Sequence, residues 1–359
     1  MPDGQSNPLS IVHDWLPAYP ADHPLSRRLR RALIHQLKRF PQPLDHMAVA
    51  VSGGPDSAML AVELAVLARQ TNSAPPHVFH VHHGLQQAAD GWEEHVQELA
   101  AGLSLPCHSI RVEVGASAAI GVEAAARAAR YRAYRQLANH CGVGVVLLAH
   151  HQDDQAETVM LRLLRGSGPT GLAAMRPVSR RDGLLFVRPW LDIPRAAILQ
   201  QMQRFLMATG WAPIHDPTNY QDHYTRSALR ERLAPQLDQR WPGWQGILAR
   251  HAELAGETAE ILDEVAEKDF SRLQPGPDGR DFSLLAWRKL SPARQAHVLR
   301  FWLASQGLRA PSHARLTDIM RQLRGLHALG HDRSMQVRHA GAIIMCQRGR
   351  VLLKHGKTS

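Results

Sequence analysis

The string Ser52-Gly53-Gly54-Pro55-Asp56-Ser57 follows directly on the apolar run Met47-Ala48-Val49-Ala50-Val51. A strand, a Gly-rich turn and a helix in that order make a phosphate site, because a helix N-terminus offers free amides and a partial positive charge. Gly53 and Gly54 let the backbone approach phosphate oxygens, and Ser52 and Ser57 add hydroxyl donors. No Lys precedes Ser57, so the Walker arrangement, in which a Lys reaches the terminal phosphates, does not apply. A plain turn with a helix cap would account for two glycines; the whole string behind a buried strand is far more specific.

A second group of reactive residues is His150-His151-Gln152-Asp153-Asp154-Gln155-Ala156-Glu157-Thr158, behind the apolar run 143–149. Asp153 is placed to cap the helix that starts here. Asp154 and Glu157 are three apart and share one helix face, which continues into Leu161 and Leu164, expected to pack on a sheet. The two acids then stand above the C-terminal edge of the strands, where open α/β sheets bind ligands. Paired acids there suit an ammonium group or Mg²⁺. Acids also favour helix N-termini for capping alone, and this segment by itself leaves both readings open. Arg165-Gly166-Ser167-Gly168 ends the helix, with Gly166 as its C-cap; Arg165 serves either that helix end or a phosphate or substrate.

Both loops need a scaffold, and the surrounding pattern supplies one. Short apolar strands at 47–51, 77–81, 107–114 and 143–149 alternate with helical stretches that begin at Pro55 and span 91–103, 122–140 and 153–164. Such alternation predicts an α/β fold with a parallel, twisted sheet and helices on both faces. A further strand is expected at 185–187, then a helix opened by Pro194 and closed by Gly210. Beyond Trp241-Pro242-Gly243-Trp244 the pattern becomes mainly helical, with a long helix over 245–273, helices at 292–306 and 313–323, and small strands within 335–353. The expected organisation is an N-terminal extension at 1–44, a catalytic domain at 45–245, and a mainly helical substrate-binding domain with a basic tail at 246–359.

The 359 residues exceed one ordinary core, so two domains are expected. The hydrophobic fraction of 44% is that of a globular chain. No apolar run approaches the roughly 18 residues of a membrane span, and no basic-then-apolar leader opens the chain, so the cytoplasm is the expected location. Cys107, Cys141 and Cys346 are far apart in sequence and give neither a disulfide framework nor a zinc site. The net charge of +10 is uneven: Arg27, Arg28, Arg30, Arg31, Lys38 and Arg39 form one cluster, and Arg333, Arg338, Arg348, Arg350, Lys354 and Lys357 another. Clusters of this kind suit a polyanion such as RNA; an Arg-rich surface alone would also produce them.

The loop at Ser52 resembles that of the PP-loop, or N-type ATP pyrophosphatase, superfamily. Members cleave ATP between the α and β phosphates, adenylate a carbonyl-type oxygen, and let a nucleophile displace AMP. Over about residues 45–245 an ordered series then resembles the tRNA(Ile)-lysidine synthetase family. It runs through Val81-His82-His83-Gly84-Leu85, Glu123-Ala124-Ala125-Ala126-Arg127, Arg130-Tyr131, the His150 block, Leu164 to Gly168, Gly171-Leu172, Arg188-Pro189, Asp216-Pro217-Thr218-Asn219 and Arg226 to Arg230. The resemblance is weaker over 282–353.

This resemblance implies an adenine nucleotide alpha hydrolase-like fold. It implies ATP as co-substrate with Mg²⁺, and as partners L-lysine and the isoleucine tRNA with a CAU anticodon. ATP would activate C2 of the wobble cytidine, and the lysine ε-amine would displace AMP to give lysidine, changing decoding from AUG to AUA. Ser52, Gly53, Gly54, Pro55, Asp56 and Ser57 would hold ATP, with Asp56 aiding magnesium or substrate placement. His150, Asp154 and Glu157 would place lysine and the reacting groups. Arg127, Arg165 and Arg226 would contact nucleotide, phosphate or substrate, and Asp56, His150, Asp154 and Arg226 form the expected catalytic set. Gln86 and Ser227 stand where the family pattern has Arg and Asn. Other PP-loop tRNA-modifying or amidating enzymes are the nearest alternative, although a thiolase needs paired cysteines. A basic RNA-binding protein without catalysis is the alternative of another class.

Overall fold

The computed structural model describes residues 12–13, 15–16, 19–20, 23–37, 43–82, 89–113, 122–214, 225–326 and 335–355. His83 to Gln86, Asp216 to Asn219, and Lys38, Arg39, Arg333 and Lys357 of the basic clusters lie outside them. The chain divides into two compact units, residues 1–255 and 256–359.

From Pro24 the first unit runs through α1 (Pro24–Leu37). It continues as β1 (Met47–Ala50), α2 (Pro55–Gln70), β2 (His77–His82), α3 (Ala89–Gly102), β3 (Cys107–Arg111), α4 (Val122–Cys141), β4 (Val145–Leu147) and α5 (Gln152–Leu164). There follow the single turn α6 (Pro169–Leu172), β5 (Val178–Arg181), β6 (Leu184–Val187), α7 (Arg195–Thr209), α8 (Thr225–Ala228), a π-helical stretch Leu229–Leu233, α9 (Ala234–Arg240) and α10 (Trp244–Arg272). The sheet order is β3-β2-β1-β4-β6-β5. All neighbours are parallel except β5, which runs antiparallel to β6.

Alternation along β1 explains why the sheet is covered twice. Met47, Val49 and Val51 face a core shared with Met59, Leu60, Ile198, Met202 and Phe205. Ala48 and Ala50 face the opposite core, with Phe79, Tyr134, Leu137, Val146 and Phe186. Side chains alternate along a strand, so both faces must be apolar when both are covered. The chain moves outward from β1 to β3 and then returns to β4 on the other side of β1. The crevice between the ends of β1 and β4 is therefore the point where the strand order reverses, the usual ligand position in such sheets.

Two expectations change here. Part of the expected extension at 1–44 belongs to the catalytic unit: Leu25, Leu29 and Leu33 on α1 are buried in the first core. Their spacing of four places them on one stripe, and each contributes roughly 1.5–3 kcal/mol by burial. Leu164 does not pack on the sheet but is 71% exposed. The thirteen-residue α5 is about 20 Å long, whereas the three-residue β4 spans about 10 Å. The last turn of α5 therefore overhangs the strand, and the helix packs instead through Ala156 and Val159.

The division between units falls inside α10 and not at Trp241-Pro242-Gly243-Trp244. The first turns of this helix belong to the first unit because Ala252 packs against Val159 and Ala174. The second unit contains α11 (Leu284–Arg288), α12 (Pro292–Ser305) and α13 (His313–Gly325). It also contains the strands β7 (Asp281–Ser283), β8 (Met335–His339), β9 (Ala342–Gln347) and β10 (Arg350–His355). The strands form an antiparallel sheet in the order β7-β10-β9-β8. Trp287, Trp302, Phe282, Ile319 and Ile344 fill its core. Trp302 finds a partner for its indole N–H in the Gly279 carbonyl at 2.9 Å.

One carboxylate in the first core is unusual. Glu63 on α2 is 1% exposed and accepts hydrogen bonds from Tyr19 and Ser26. Burial raises its pKa to about 7, with the two hydroxyls only partly opposing. The folded chain then holds the proton more tightly than the unfolded chain does. Stability is fully present below the ordinary carboxyl pKa and is lost as pH rises through about 7, by on the order of 3 kcal/mol. Glu63→Gln keeps the two hydroxyl partners and removes the ionisation. Its melting temperature is expected to gain on wild type from pH 5 to pH 8. Parallel curves for the two proteins would contradict this assignment.

Candidate active site

The phosphate loop closes on itself through its hydroxyls. The Ser52 backbone N–H donates to Ser57 Oγ at 3.1 Å, the two serine hydroxyls lie 3.1 Å apart, and Ser57 Oγ donates to the Gly54 carbonyl at 3.2 Å. Gly54 is the N-cap of α2 and Pro55 takes its first turn. Gly54 has no side chain to occupy the first-turn amides, and Pro55 lacks an N–H that would otherwise need a partner. Gly53 sits at φ +90°, and its carbonyl accepts from the Ile214 N–H at 2.9 Å.

The acid block lies beside this loop because β1 and β4 are neighbours, pairing Val49 with Leu147. His151, not Asp153, is the N-cap of α5: its Nδ1 accepts from the Asp154 N–H, and the Asp154 carboxylate accepts from the His151 N–H. Asp153 instead accepts from the Arg195 backbone N–H at 3.1 Å, tying α5 to the start of α7, with the same oxygen 3.9 Å from His151 Nδ1. His151 is 3% exposed. Its Nε2 lies 3.3 Å from Asp154 and 3.9 Å from Asp56, so it bridges the acid block and the phosphate loop.

Asp154 and Glu157 are not bare acids. Arg226 donates from Nε to Glu157 at 2.6 Å and from Nη2 to Asp154 at 3.4 Å. Arg230 donates to Glu157 at 2.5 and 3.0 Å and to Asp154 at 3.3 Å. The two arginines straddle the junction of α8 with the π-helical stretch, a local widening often found at functional sites. Burial alone would raise the Asp154 carboxyl, but His151, Arg226, His150 and Arg230 outweigh it and hold it at about 2. Asp154 is therefore ionised at neutral pH.

His150 is pushed down to about 3 by burial, with Arg188, Arg127 and Arg226 nearby adding to the effect. A neutral imidazole of this kind makes hydrogen bonds but is a poor base for an ammonium group of pKa about 10.4. Its Nδ1 is buried with no hydrogen-bond partner among the described residues. Arg127 stacks over Tyr131 at 5.3 Å, and Tyr131 also accepts from the buried Arg188 at 3.5 Å.

The structure thus gathers Ser52 to Ser57, His150, Asp154, Glu157 and Arg226 at one crevice, with Arg127 close to His150. Arg165 is not brought there. It caps the far end of α5, about 12 Å along the helix axis from Glu157 and about 16 Å from Asp154. Sequence reasoning gave no role to four further residues: His151, Arg188, Arg195 and Arg230. Arg195 clasps Asp56 from Nε at 3.3 and 3.4 Å and from Nη2 at 3.3 Å. One signal for it was available: an Arg in the first turn of a helix opposes the helix dipole, so its position calls for a local anion.

A doubly wound sheet with this loop at its reversal point defines a PP-loop ATP-binding protein. The PP-loop domain family matches residues 25–237, and the TilS substrate binding domain family matches residues 282–352. The chain is 53% identical over 327 residues to the tRNA(Ile)-lysidine synthase of Bordetella parapertussis, covering 90% of this chain and 93% of that one. With the Ralstonia nicotianae tRNA(Ile)-lysidine synthase the identity is 41% over 310 residues, covering 86% and 64%. The U34-tRNA thiolase NcsA of Methanococcus maripaludis superposes with a TM-score of 0.52 at 14% identity, over 65% of this chain and 78% of that one, a likeness of fold alone. The chain belongs to the tRNA(Ile)-lysidine synthase family. The match from residue 25 agrees with the burial of α1 in the first core. Among the described residues no helix is long and apolar enough to cross a membrane.

Proposed function

We propose that this chain forms lysidine on the isoleucine tRNA with a CAU anticodon, using ATP and free lysine. The observation that carries the reading is the meeting of the phosphate loop with the acid–arginine cluster at one sheet crevice. In the first step the C2 oxygen of the wobble cytidine attacks the α-phosphorus of ATP. A P–O bond forms, the α–β bridge breaks, and pyrophosphate leaves into the amides and hydroxyls of Ser52 to Ser57. Asp56 is the carboxylate that suits Mg²⁺ there, since that ion is commonly held by one or two carboxylates together with phosphate oxygens. Arg195 orients Asp56. The ion would neutralise charge on the departing pyrophosphate.

In the second step the lysine ε-ammonium gives a proton to solvent and the free amine attacks C2; the C2–O bond breaks, AMP leaves with the oxygen, and the remaining excess proton on nitrogen passes to solvent. Free lysine also carries an α-ammonium and an α-carboxylate. Asp154 and Glu157 match the first, and Arg226 and Arg230 the second, which fixes the amino acid by both ends of its head group. The neutral His150 serves as a hydrogen-bonding group near the reacting atoms. Arg127 suits a nucleotide phosphate. The basic residues on α1 and on the second unit suit tRNA, whose splayed anticodon bases are the kind of RNA target proteins read best. The reaction would take place in the cytoplasm, with the tRNA.

The test is direct: the protein is incubated with CAU isoleucine tRNA, labelled lysine and ATP. Label is expected in the tRNA, with AMP and pyrophosphate released in equal amounts. Release of both products without label in the tRNA would assign the loop to another amine, and no release at all would leave only an RNA-binding protein.

A further inference from the structure

His77, His108 and Cys141 meet at the edge of the sheet opposite the phosphate loop. We propose that these three side chains form a zinc site, with solvent as the fourth ligand. Nothing in the lysidine reaction calls on this edge.

Strand register brings the two histidines together. Phe79 pairs with His108 across β2 and β3. His77 is two residues before Phe79, so His77 and His108 stand on the same face of the sheet. That face is covered by α4 through Tyr131, Tyr134, Leu137 and Ala138. The helix runs back against the strand direction, so its last residue, Cys141, arrives where the strands begin. Sequence spacing gave no zinc pattern, because the three ligands come from three separate elements.

In this structure the two imidazoles hydrogen-bond each other, and the thiol stands beside them. His77 Nδ1 lies 2.9 Å from His108 Nε2, and the three ligand atoms lie within 4.8 Å of one another. Tetrahedral zinc with bonds of 2.0–2.1 Å to nitrogen would place two imidazole nitrogens about 3.3 Å apart. The histidine pair needs to open by only a few tenths of an ångström, on the order of 0.4 Å. All three residues are half-buried, so an ion can enter yet loses part of its water. Two nitrogens and a thiolate favour zinc over the oxygen-seeking magnesium and calcium. Bound there, the ion would staple β2, β3 and α4, and its binding energy would add to folding stability.

The experiment titrates the metal-free full chain with Co²⁺, whose thiolate charge-transfer band reports a sulfur ligand, and then displaces it with Zn²⁺. Wild type is expected to develop the band at one equivalent, to lose it to zinc, and to melt at higher temperature with zinc bound. Cys141→Ser is expected to lose the band and the zinc-dependent rise. The double variant His77→Asn/His108→Asn, which keeps the thiol, is expected to bind Co²⁺ at least about tenfold more weakly. Asp154 and Glu157 are intact in every variant, so any ion they hold is a constant background without a thiolate band. Absence of the band in wild type overturns the proposal. So does its persistence in Cys141→Ser, which would assign it to Cys107 or Cys346, or its full strength in the double-histidine variant.

Discussion

Asp154→Asn is expected to lower lysine transfer by on the order of 10²–10³-fold, the usual cost of removing one partner of a buried, hydrogen-bonded charge pair. Asp154 performs two tasks that the substitution separates. Its carboxylate completes the cap of α5 by accepting the His151 N–H, which the Asn carbonyl oxygen can still do. Its charge balances Arg226 and Arg230, which Asn cannot. The fold should therefore survive while the proposed head-group site loses its anion. Three readouts distinguish a substrate role from a purely structural one. Far-UV circular dichroism should be unchanged, the KM for lysine should rise, and tRNA-dependent pyrophosphate release should fall less than lysine incorporation. Wild-type turnover in this variant would remove Asp154 from the site. A loss of melting temperature with unchanged KM for lysine would make it a clamp for the arginines alone.

The second large effect is expected at Gly53, where Ala should weaken ATP binding by about a hundredfold. Two costs add at this position. Its φ of +90° is a conformation that L-residues adopt at a cost of roughly 1–2 kcal/mol. A Cβ there would also overlap Ile214 Cδ1 and touch Val96, so the Ile214 side chain must leave its present rotamer, at a cost on the order of 1 kcal/mol. The Gly53 carbonyl is simultaneously tied to the Ile214 N–H, so the loop cannot move away without giving up that bond. Gly54→Ala is the control for backbone strain. Gly54 has φ −73°, and its added Cβ would meet only Ser52 Oγ at 3.6 Å. Pairing Gly53→Ala with Ile214→Ala relieves the overlap and leaves the φ cost, so the double variant should recover part of the affinity. Calorimetric titration with ATP measures all four proteins. Wild-type affinity in Gly53→Ala would show that the loop does not need its present shape to hold the nucleotide.

These two sites also mark where sequence information ends. Ser52 to Ser57 was legible because every part of the motif is local: an apolar run, two glycines, a proline at the helix start and hydroxyls within six residues. The β/α alternation was legible for the same reason, since periodicity within ten or fifteen residues fixes helix or strand. The pairing of Asp154 with Glu157 on one face followed from helix geometry alone. The partners of those acids did not. Arg226 and Arg230 lie about seventy residues further on, and no local pattern says where a later helix will dock. The same limit applies to Asp56 and Arg195, 139 positions apart.

The order β3-β2-β1-β4-β6-β5 is what resolved them. By returning to the far side of β1, the chain set the His150 block against the phosphate loop and gave both a common crevice. Docking of α7 then supplied Arg195 to one, and α8 with its π-helical continuation supplied two arginines to the other. Capping shows the difference at the scale of one residue. The sequence placed a capping acid at Asp153, as helix-start preferences dictate. Tertiary contact drew Asp153 to the start of α7 and left the cap to His151. By itself, then, the sequence determined the nucleotide loop, the alternating fold and the helix face carrying the acids, because these rest on near neighbours. Tertiary structure alone decided which charges meet, which histidine bridges the two loops, and that α1 belongs to the core, because each depends on strand order and on packing between residues far apart in the chain.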